Sequence, residues 1–291
     1  MKQSKTNGSI QDGFKQAKAL TKKCAKTFYF ASRFLPKEKQ NAAYAIYAVC
    51  RITDDIVDSN EILSGSINLS GMREKIESVY NRTELTDNIL LAFRDTVNKY
   101  KIPKKYFDEL IEGMYMDLDK NRYENFNELY IYCKRVAGMI GLIMLKIFGS
   151  HNQEAEIYAV DLGVAMQCTN ILRDIKEDFE RGRIYLPEDE MKRFNVSEHH
   201  MAEEKVDKNF ISFLKFQIER AREYYENSAK GLKMINSVMS RVVVCMMKDL
   251  YAGILNSIEN IEYNVFSQRA HVNITGKLVI ALKVLMKKEY L

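Results

Sequence analysis

The sequence predicts an all-α protein, a single large helical domain. Three observations predict the helices. Only three prolines, Pro36, Pro103 and Pro187, interrupt 291 residues, so long uninterrupted helices are permitted almost everywhere. Segment after segment carries apolar residues at i, i+3 and i+4, the spacing of a helix that buries one face. Alternating apolar and polar residues bounded by turn dipeptides, the mark of strands, are hard to find. No internal repeat and no linker composition divides the chain, so residues 1–291 are expected to form one domain, with 1–13 a flexible lead-in.

In order, residues 14–34 place Phe14, Ala17, Leu20, Cys24, Thr27 and Phe28 at helical spacing, and Pro36 ends that segment. Residues 37–59 read as one strong helix, followed by a loop rich in Ser, Asn and Gly over 59–71. Two helices are expected within 72–100, and Pro103 opens another that runs past 113–118. Residues 127–148 form a helix whose Gly138 and Gly141 allow a neighbouring helix or a ligand to approach closely. Residues 154–180 read as one helix closed by Gly182 as its C′ residue, with Pro187 in an exposed connection. Two long helices, 209–228 and 229–256, come next, and Gly276 precedes a short final one.

Composition narrows the function. A net charge of +5 with scattered bases is too mild for nucleic acid and suits an anionic small substrate. Five cysteines (Cys24, Cys50, Cys133, Cys168 and Cys245) are odd in number and form no CxxC pair, so buried reduced thiols in a cytoplasmic protein are expected. His199 and His200 fall in a polar loop, and no zinc site is expected. Residues 1–13 lack the apolar core of a signal peptide, and the longest apolar run, 137–145, is closed by Lys146 before it could span a bilayer. The tail, 276–291, mixes Leu278, Val279, Ile280, Leu282, Val284, Leu285 and Met286 with Lys277, Lys283, Lys287 and Lys288. It either docks on the core, the preferred reading, or makes peripheral contact with an anionic membrane surface.

Two polar stripes carry the chemistry. In 154–180, Ile171, Leu172, Ile175 and Phe179 form the buried face, while Gln167, Asn170, Asp174 and Asp178 share a second arc about 80° wide. Two carboxylates one turn apart, with amides beside them, supply the oxygen ligands that a hard divalent cation needs. Residues 37–59 repeat the pattern: Tyr47, Arg51, Asp54 and Asp58 lie within about 60° of one another, with Asp55 off to the side. Either acidic pair alone reads as a solvated helix face. Facing each other across a cavity, the four carboxylates could hold two or three Mg²⁺ ions that bridge to a diphosphate. Arg51 and Arg173 add fork-shaped donors for phosphate oxygens.

The same residues carry a resemblance. Tyr47-Ala48-Val49-Cys50-Arg51-Ile52-Thr53-Asp54-Asp55-Ile56-Val57-Asp58 and the run from Gln167 to Asp178 are similar to the two aspartate-rich motifs of the squalene/phytoene synthase family. The run from Lys26 to Pro36, the run 113–118, Tyr132-Cys133 with Val136-Ala137-Gly138, and Arg183-Ile184-Tyr185-Leu186-Pro187 resemble further family motifs, so the likeness spans about 14–269. The resemblance implies a helical domain of the isoprenoid-synthase type with a central cavity, and Mg²⁺-dependent head-to-head condensation of two farnesyl or geranylgeranyl diphosphates. The reaction would pass through a cyclopropylcarbinyl diphosphate to a C30 or C40 product, dehydrosqualene or phytoene. It implies that Asp54, Asp58, Asp174 and Asp178 bind the metal. Tyr47, Arg51, Gln167, Asn170 and Arg173 would line the diphosphate site, Tyr132 and Tyr251 would stand near the reacting carbons, and Arg269 would be a C-terminal phosphate contact. The family commonly has His-Ser before the Lys-Ser/Thr of its N-terminal segment; here Cys24-Ala25 stand there, while Thr27 keeps the substrate-contacting hydroxyl.

Other outcomes stay open at this level. Hydride from NADPH would give squalene, though no motif indicates NADPH, and stopping halfway would give presqualene diphosphate. A class I terpene cyclase usually carries Asn, Ser/Thr and Glu in its second motif, where this chain has Asp174 and Asp178. A non-catalytic scaffold relative would be expected to have lost carboxylates, and all four are here.

Overall fold

The computed structural model describes the backbone of residues 3–58, 69–81 and 83–287. Among these it contains fifteen α-helices, one π-helical turn, one 3-10 turn and two isolated β-bridges. The all-α expectation holds. α1 (Gln3–Cys24) begins upstream of Phe14, where the apolar periodicity starts, and α2 (Lys26–Ser32) follows a break at Ala25, whose φ of −126° and ψ of 64° leave helical geometry. Pro36 separates α2 from α3 (Lys37–Asp58). Most of the loop expected over 59–71 lies outside the described residues, and α4 (Leu69–Tyr80) already begins within its last part. α5 (Asn88–Lys99) is capped by Asp87, whose carboxylate accepts from Leu90 N at 2.9 Å. α6 (Lys104–Asp119) starts directly after Pro103.

The helix expected over 127–148 arrives in three pieces: α7 (Phe126–Cys133), a π turn over Lys134–Gly138, and α8 (Met139–Phe148). The π turn packs against α9 (Ala155–Arg173) nearly backbone to backbone. A Cβ on Gly163 would stand 2.4 Å from Ala137 O, and one on Gly141 would stand 2.1 Å from Ala159 O. Glycine is required at both contacts.

The helix expected over 154–180 is broken. α9 ends at Asp174 (φ −106°, ψ 17°), and α10 (Ile175–Glu180) resumes at once. The register survives, since Asp174 N donates to Asn170 O at 2.9 Å and Asp178 N to Asp174 O at 2.8 Å. The residue at the break is an aspartate, a poor occupant of a helix interior, and its carboxylate is claimed from outside the helix, as described below.

Two further expectations are corrected in the next stretch. Pro187 is buried rather than exposed, because Ile184 N donates to Asn121 O and Glu188 N to Tyr123 O, each at 2.9 Å, pulling 184–187 inward. His199 and His200 lie in α12 (Glu198–Ala202), which follows α11 (Glu188–Arg193). His200 is buried, and its Nδ1 accepts from Ser197 N in a capping box. α13 (Lys208–Ala229) and α14 (Val238–Asn260) are separated by a 3-10 turn at Leu232–Met234, not joined at 228–229. Cys133, Cys168 and Cys245 are buried thiols outside any disulfide, Cys50 is half-buried, and Cys24 is exposed.

α15 (Ile274–Met286) docks on α14 through Ala281 and Val284, as preferred. Its outer face leaves Ile274, Leu278, Leu282 and Met286 exposed. No described helix is long and apolar enough to cross a membrane.

Candidate active site

α3, α9 and α14 bring residues far apart in sequence to one polar cavity of about 900 Å³. From α2 comes Thr27; from α3, Tyr47, Arg51 and Asp54; from α7, Tyr132. α9 contributes Gln167, Asn170 and Arg173, and the break and α10 contribute Asp174 and Asp178. Tyr251 of α14 and Arg269 beyond it complete the wall. Twelve of the thirteen residues singled out in the sequence therefore line one cavity. The thirteenth, Asp58, ends α3, and its side chain lies outside the described residues.

Two guanidinium groups grip Asp174. Arg173 Nε donates to Oδ1 at 2.8 Å and Arg173 Nη2 to Oδ2, while Arg269 Nε and Nη2 reach the same two oxygens at 2.7 and 3.0 Å. Burial raises the pKa of this carboxyl, but the hydrogen bonds from Arg173 and Arg269 outweigh it and leave it below the ordinary value. Asp178 is in the opposite state. Burial first, then the negative charges of Asp174 and Glu177, push its carboxyl up to about 7. The two acids of one stripe are thus split: one is neutralised by arginine, and the other is held where a cation would stabilise it.

On the facing helix, Arg51 Nη2 donates to Asp55 Oδ1. Arg51 Nε is buried without a hydrogen-bond partner. Asn170 Nδ2 donates to Gln167 Oε1 at 3.3 Å, and this leaves Asn170 Oδ1 buried and unpartnered at the cavity wall. Unpaired buried polar atoms are costly in a folded protein and mark places where a ligand completes the bonding. Among the described residues, no three His, Cys, Asp or Glu side chains converge closely enough to form a metal cage by themselves.

Several groups of the cavity were not assigned from sequence. Asp117 of α6 accepts from Tyr132 Oη at 3.0 Å and from Tyr185 Oη at 2.7 Å, and the two rings stack with centroids 5.0 Å apart. Burial raises the pKa of both phenols. Lys277 of α15 donates to Thr27 Oγ1 at 2.9 Å, its own pKa lowered by burial and by the charge of Lys26. Arg183 and Lys26 line the same wall. Asp117, Arg183 and Tyr185 fall inside runs that resemble family motifs, a signal that could have found them; nothing in the tail pointed to Lys277.

A second, apolar cavity of about 340 Å³ adjoins the first and shares Phe28, Tyr47, Asp54, Gln167, Asn170 and Tyr251 with it. It continues inward between α3, α8, α9 and α14. An anion-binding mouth over a greasy shaft suits a substrate with a charged head and a hydrocarbon tail.

The family profile described as squalene/phytoene synthase matches residues 21–275. The chain belongs to the squalene/phytoene synthase family. A phytoene synthase of Arthrospira platensis is 36% identical over 290 residues, covering 94% of this chain and 93% of that one. A 15-cis-phytoene synthase of Synechococcus elongatus is 35% identical over 288 residues, with the same coverage of 94% and 93%. Among solved structures, a dehydrosqualene synthase in complex with ligand superposes with a TM-score of 0.89 at 27% identity, covering 96% of this chain and 98% of that one. A squalene synthase of Alicyclobacillus acidocaldarius shares the fold, with a TM-score of 0.79 at 23% identity over 89% of this chain and 99% of that one. This squalene/phytoene synthase family member is a prenyltransferase, and the terpene-cyclase and scaffold alternatives fall away.

Proposed function

We propose that this protein joins two C20 prenyl diphosphates, geranylgeranyl diphosphate, head to head to give phytoene, releasing diphosphate. The supporting observation is the junction of the two cavities, with the carboxylates and arginines at the mouth and the shaft below. The similarity to phytoene synthases over nearly the full length of both chains supports the C20 substrate.

The donor set fits Mg²⁺. Asp54 and Asp58 from α3, with Asp174 and Asp178 from the α9–α10 break, offer oxygen only, and Asn170 Oδ1 awaits a partner. Mg²⁺ binds readily through one or two carboxylates plus substrate phosphates, so a preformed cage is not needed. Two or three such ions, when bound, neutralise charge on the diphosphate leaving group.

The chain's own residues do the rest. Arg173 and Arg269, oriented by Asp174, present forks to phosphate oxygens. Arg51, Lys26 and Lys277 hold the second diphosphate, with Thr27 positioned by Lys277. Cys24-Ala25 remove two polar contacts expected there, and Lys277 restores a charge. Ionisation of one substrate yields an allylic cation. The C2=C3 bond of the other attacks it, and loss of a proton gives cyclopropylcarbinyl diphosphate. A second ionisation, rearrangement and proton loss complete the product. The buried shaft excludes water from these cations, and aromatic faces such as those of Phe28 and Tyr47 stabilise them. Asp117 fixes the Tyr132 hydroxyl beside this region.

The dehydrosqualene synthase match favours a second reading, in which the substrate is the C15 farnesyl diphosphate. The test is incubation of purified protein with Mg²⁺ and C15 or C20 diphosphate, with and without NADPH, and identification of products by mass. The expected result is phytoene from the C20 substrate without NADPH. A product only from C15, or only with NADPH, would overturn it. The exposed face of α15, flanked by Lys283 and Lys287, supports peripheral contact with an anionic membrane, where an oily C40 product would leave. The reduced thiols suit the cytoplasm.

A further inference from the structure

The apolar shaft has a built floor. On α9 its wall includes Asn170, Gly163, Ala159 and finally Ala155, and on α8 it ends at Phe148. From Asn170 to Tyr158, which also lines the shaft, the helix rises about 18 Å. A C20 prenyl chain, with roughly 16 carbons and so about 15 bonds along its backbone at about 1.25 Å of projection per bond, extends about 19 Å. A C15 chain on the same basis reaches only about 14 Å and leaves the lower end empty.

The floor is tied together and not merely filled. Asn236 N donates to Gly149 O at 3.0 Å, and His151 N donates to Met234 O at 3.3 Å, lacing the end of α8 to the turn before α14. Lys39 Nζ, half-buried, donates to Phe148 O at 2.8 Å and to Ser240 Oγ at 3.1 Å, so α3, α8 and α14 meet at this point. Above this knot, the half-buried Tyr158 lies across Gly231. A Cβ on Gly231 would stand 2.5 Å from Tyr158 Cβ and 3.0 Å from its ring. The backbone of Gly231 is ordinary (φ −77°, ψ −14°), so glycine is needed there for the room it leaves to Tyr158.

We infer that Tyr158, seated on Gly231 over the laced end of α8, is the stop that sets prenyl chain length. This rests on the proposed head-to-head reaction and deepens it by naming what selects C20. Removal of the ring lengthens the shaft, whereas a methyl group on Gly231 drives the ring into it.

The experiment measures kcat/KM of the full-length enzyme with C15, C20 and C25 prenyl diphosphates, with folding of each variant checked by thermal melting. Tyr158→Ala should raise the C25:C20 ratio at least about tenfold, and Gly231→Ala should raise the C15:C20 ratio by a similar factor. Phe148→Ala, at the same floor, should raise C25 use independently if either single variant fails to fold. Folded variants with wild-type ratios would overturn the inference while leaving the reaction standing. A wild-type enzyme inactive on every prenyl diphosphate would overturn the reaction and the inference together.

Discussion

Asp178 offers a quantitative test of the metal-binding face. Its carboxyl is pushed up to about 7 by burial and by Asp174 and Glu177 in the metal-free protein. A divalent cation binds the carboxylate and competes with the proton. With a pKa of about 7, roughly one molecule in eleven is protonated at pH 8 and ten in eleven at pH 6. Apparent affinity should therefore fall about tenfold between pH 8 and pH 6, equivalent to about 1.4 kcal/mol. Stability runs the other way in the absence of metal. Because the folded pKa is raised, protonation favours the folded state, so stability falls as pH rises from about 4 to about 7 and then levels. Added cation should offset that loss above pH 7. The assay is titration with Mn²⁺, free ion read by electron paramagnetic resonance, at pH 6, 7 and 8, for wild type and Asp178→Asn. The wild type should show the tenfold slope, and the variant should bind weakly and lose the slope. A wild-type affinity that changes less than twofold, or a slope retained by Asp178→Asn, would refute the reasoning.

Other perturbations separate structural from catalytic roles. Arg269 is 61% exposed, so Arg269→Gln should cost only about 1 kcal/mol in a melting experiment, while kcat/KM falls at least about a hundredfold through loss of a bidentate phosphate contact. Lys277→Met should raise the KM for prenyl diphosphate about tenfold or more, with little change in the melting temperature, since it removes one charged donor from the mouth. Gly163→Ala places a methyl group 2.4 Å from Ala137 O and should destabilise the fold by about 1–3 kcal/mol in denaturant titration.

The fold class was legible because helix periodicity is a local property, and scarce proline leaves it uninterrupted. The acidic stripes were legible for the same reason: i, i+4 spacing puts Asp174 over Asn170 and Asp178 whether or not the helix runs straight. The break at Asp174 was not, because Arg269 claims that carboxylate from 95 residues away, and no local window contains both. The π turn at Lys134–Gly138 likewise depends on how closely Gly163 lets α9 approach. Pro187 looked exposed because it follows a turn, yet backbone bonds to Asn121 and Tyr123 nearby on α6's exit hold it inside. Lys277 had no local signal, since an amphipathic tail reads the same whether its lysines meet lipid, water or the mouth of a cavity.

The central claim is that acidic faces of α3 and of the α9–α10 break act on one bound diphosphate. Calorimetric titration of inorganic diphosphate in the presence of Mg²⁺ tests it most directly, on wild type, Asp54→Asn, Asp174→Asn and the double variant. The account predicts tight Mg²⁺-dependent binding in the wild type, a large loss in either single variant, and a double variant scarcely worse than either. Undiminished binding in both single variants, or losses that simply add as for two independent sites, would contradict it.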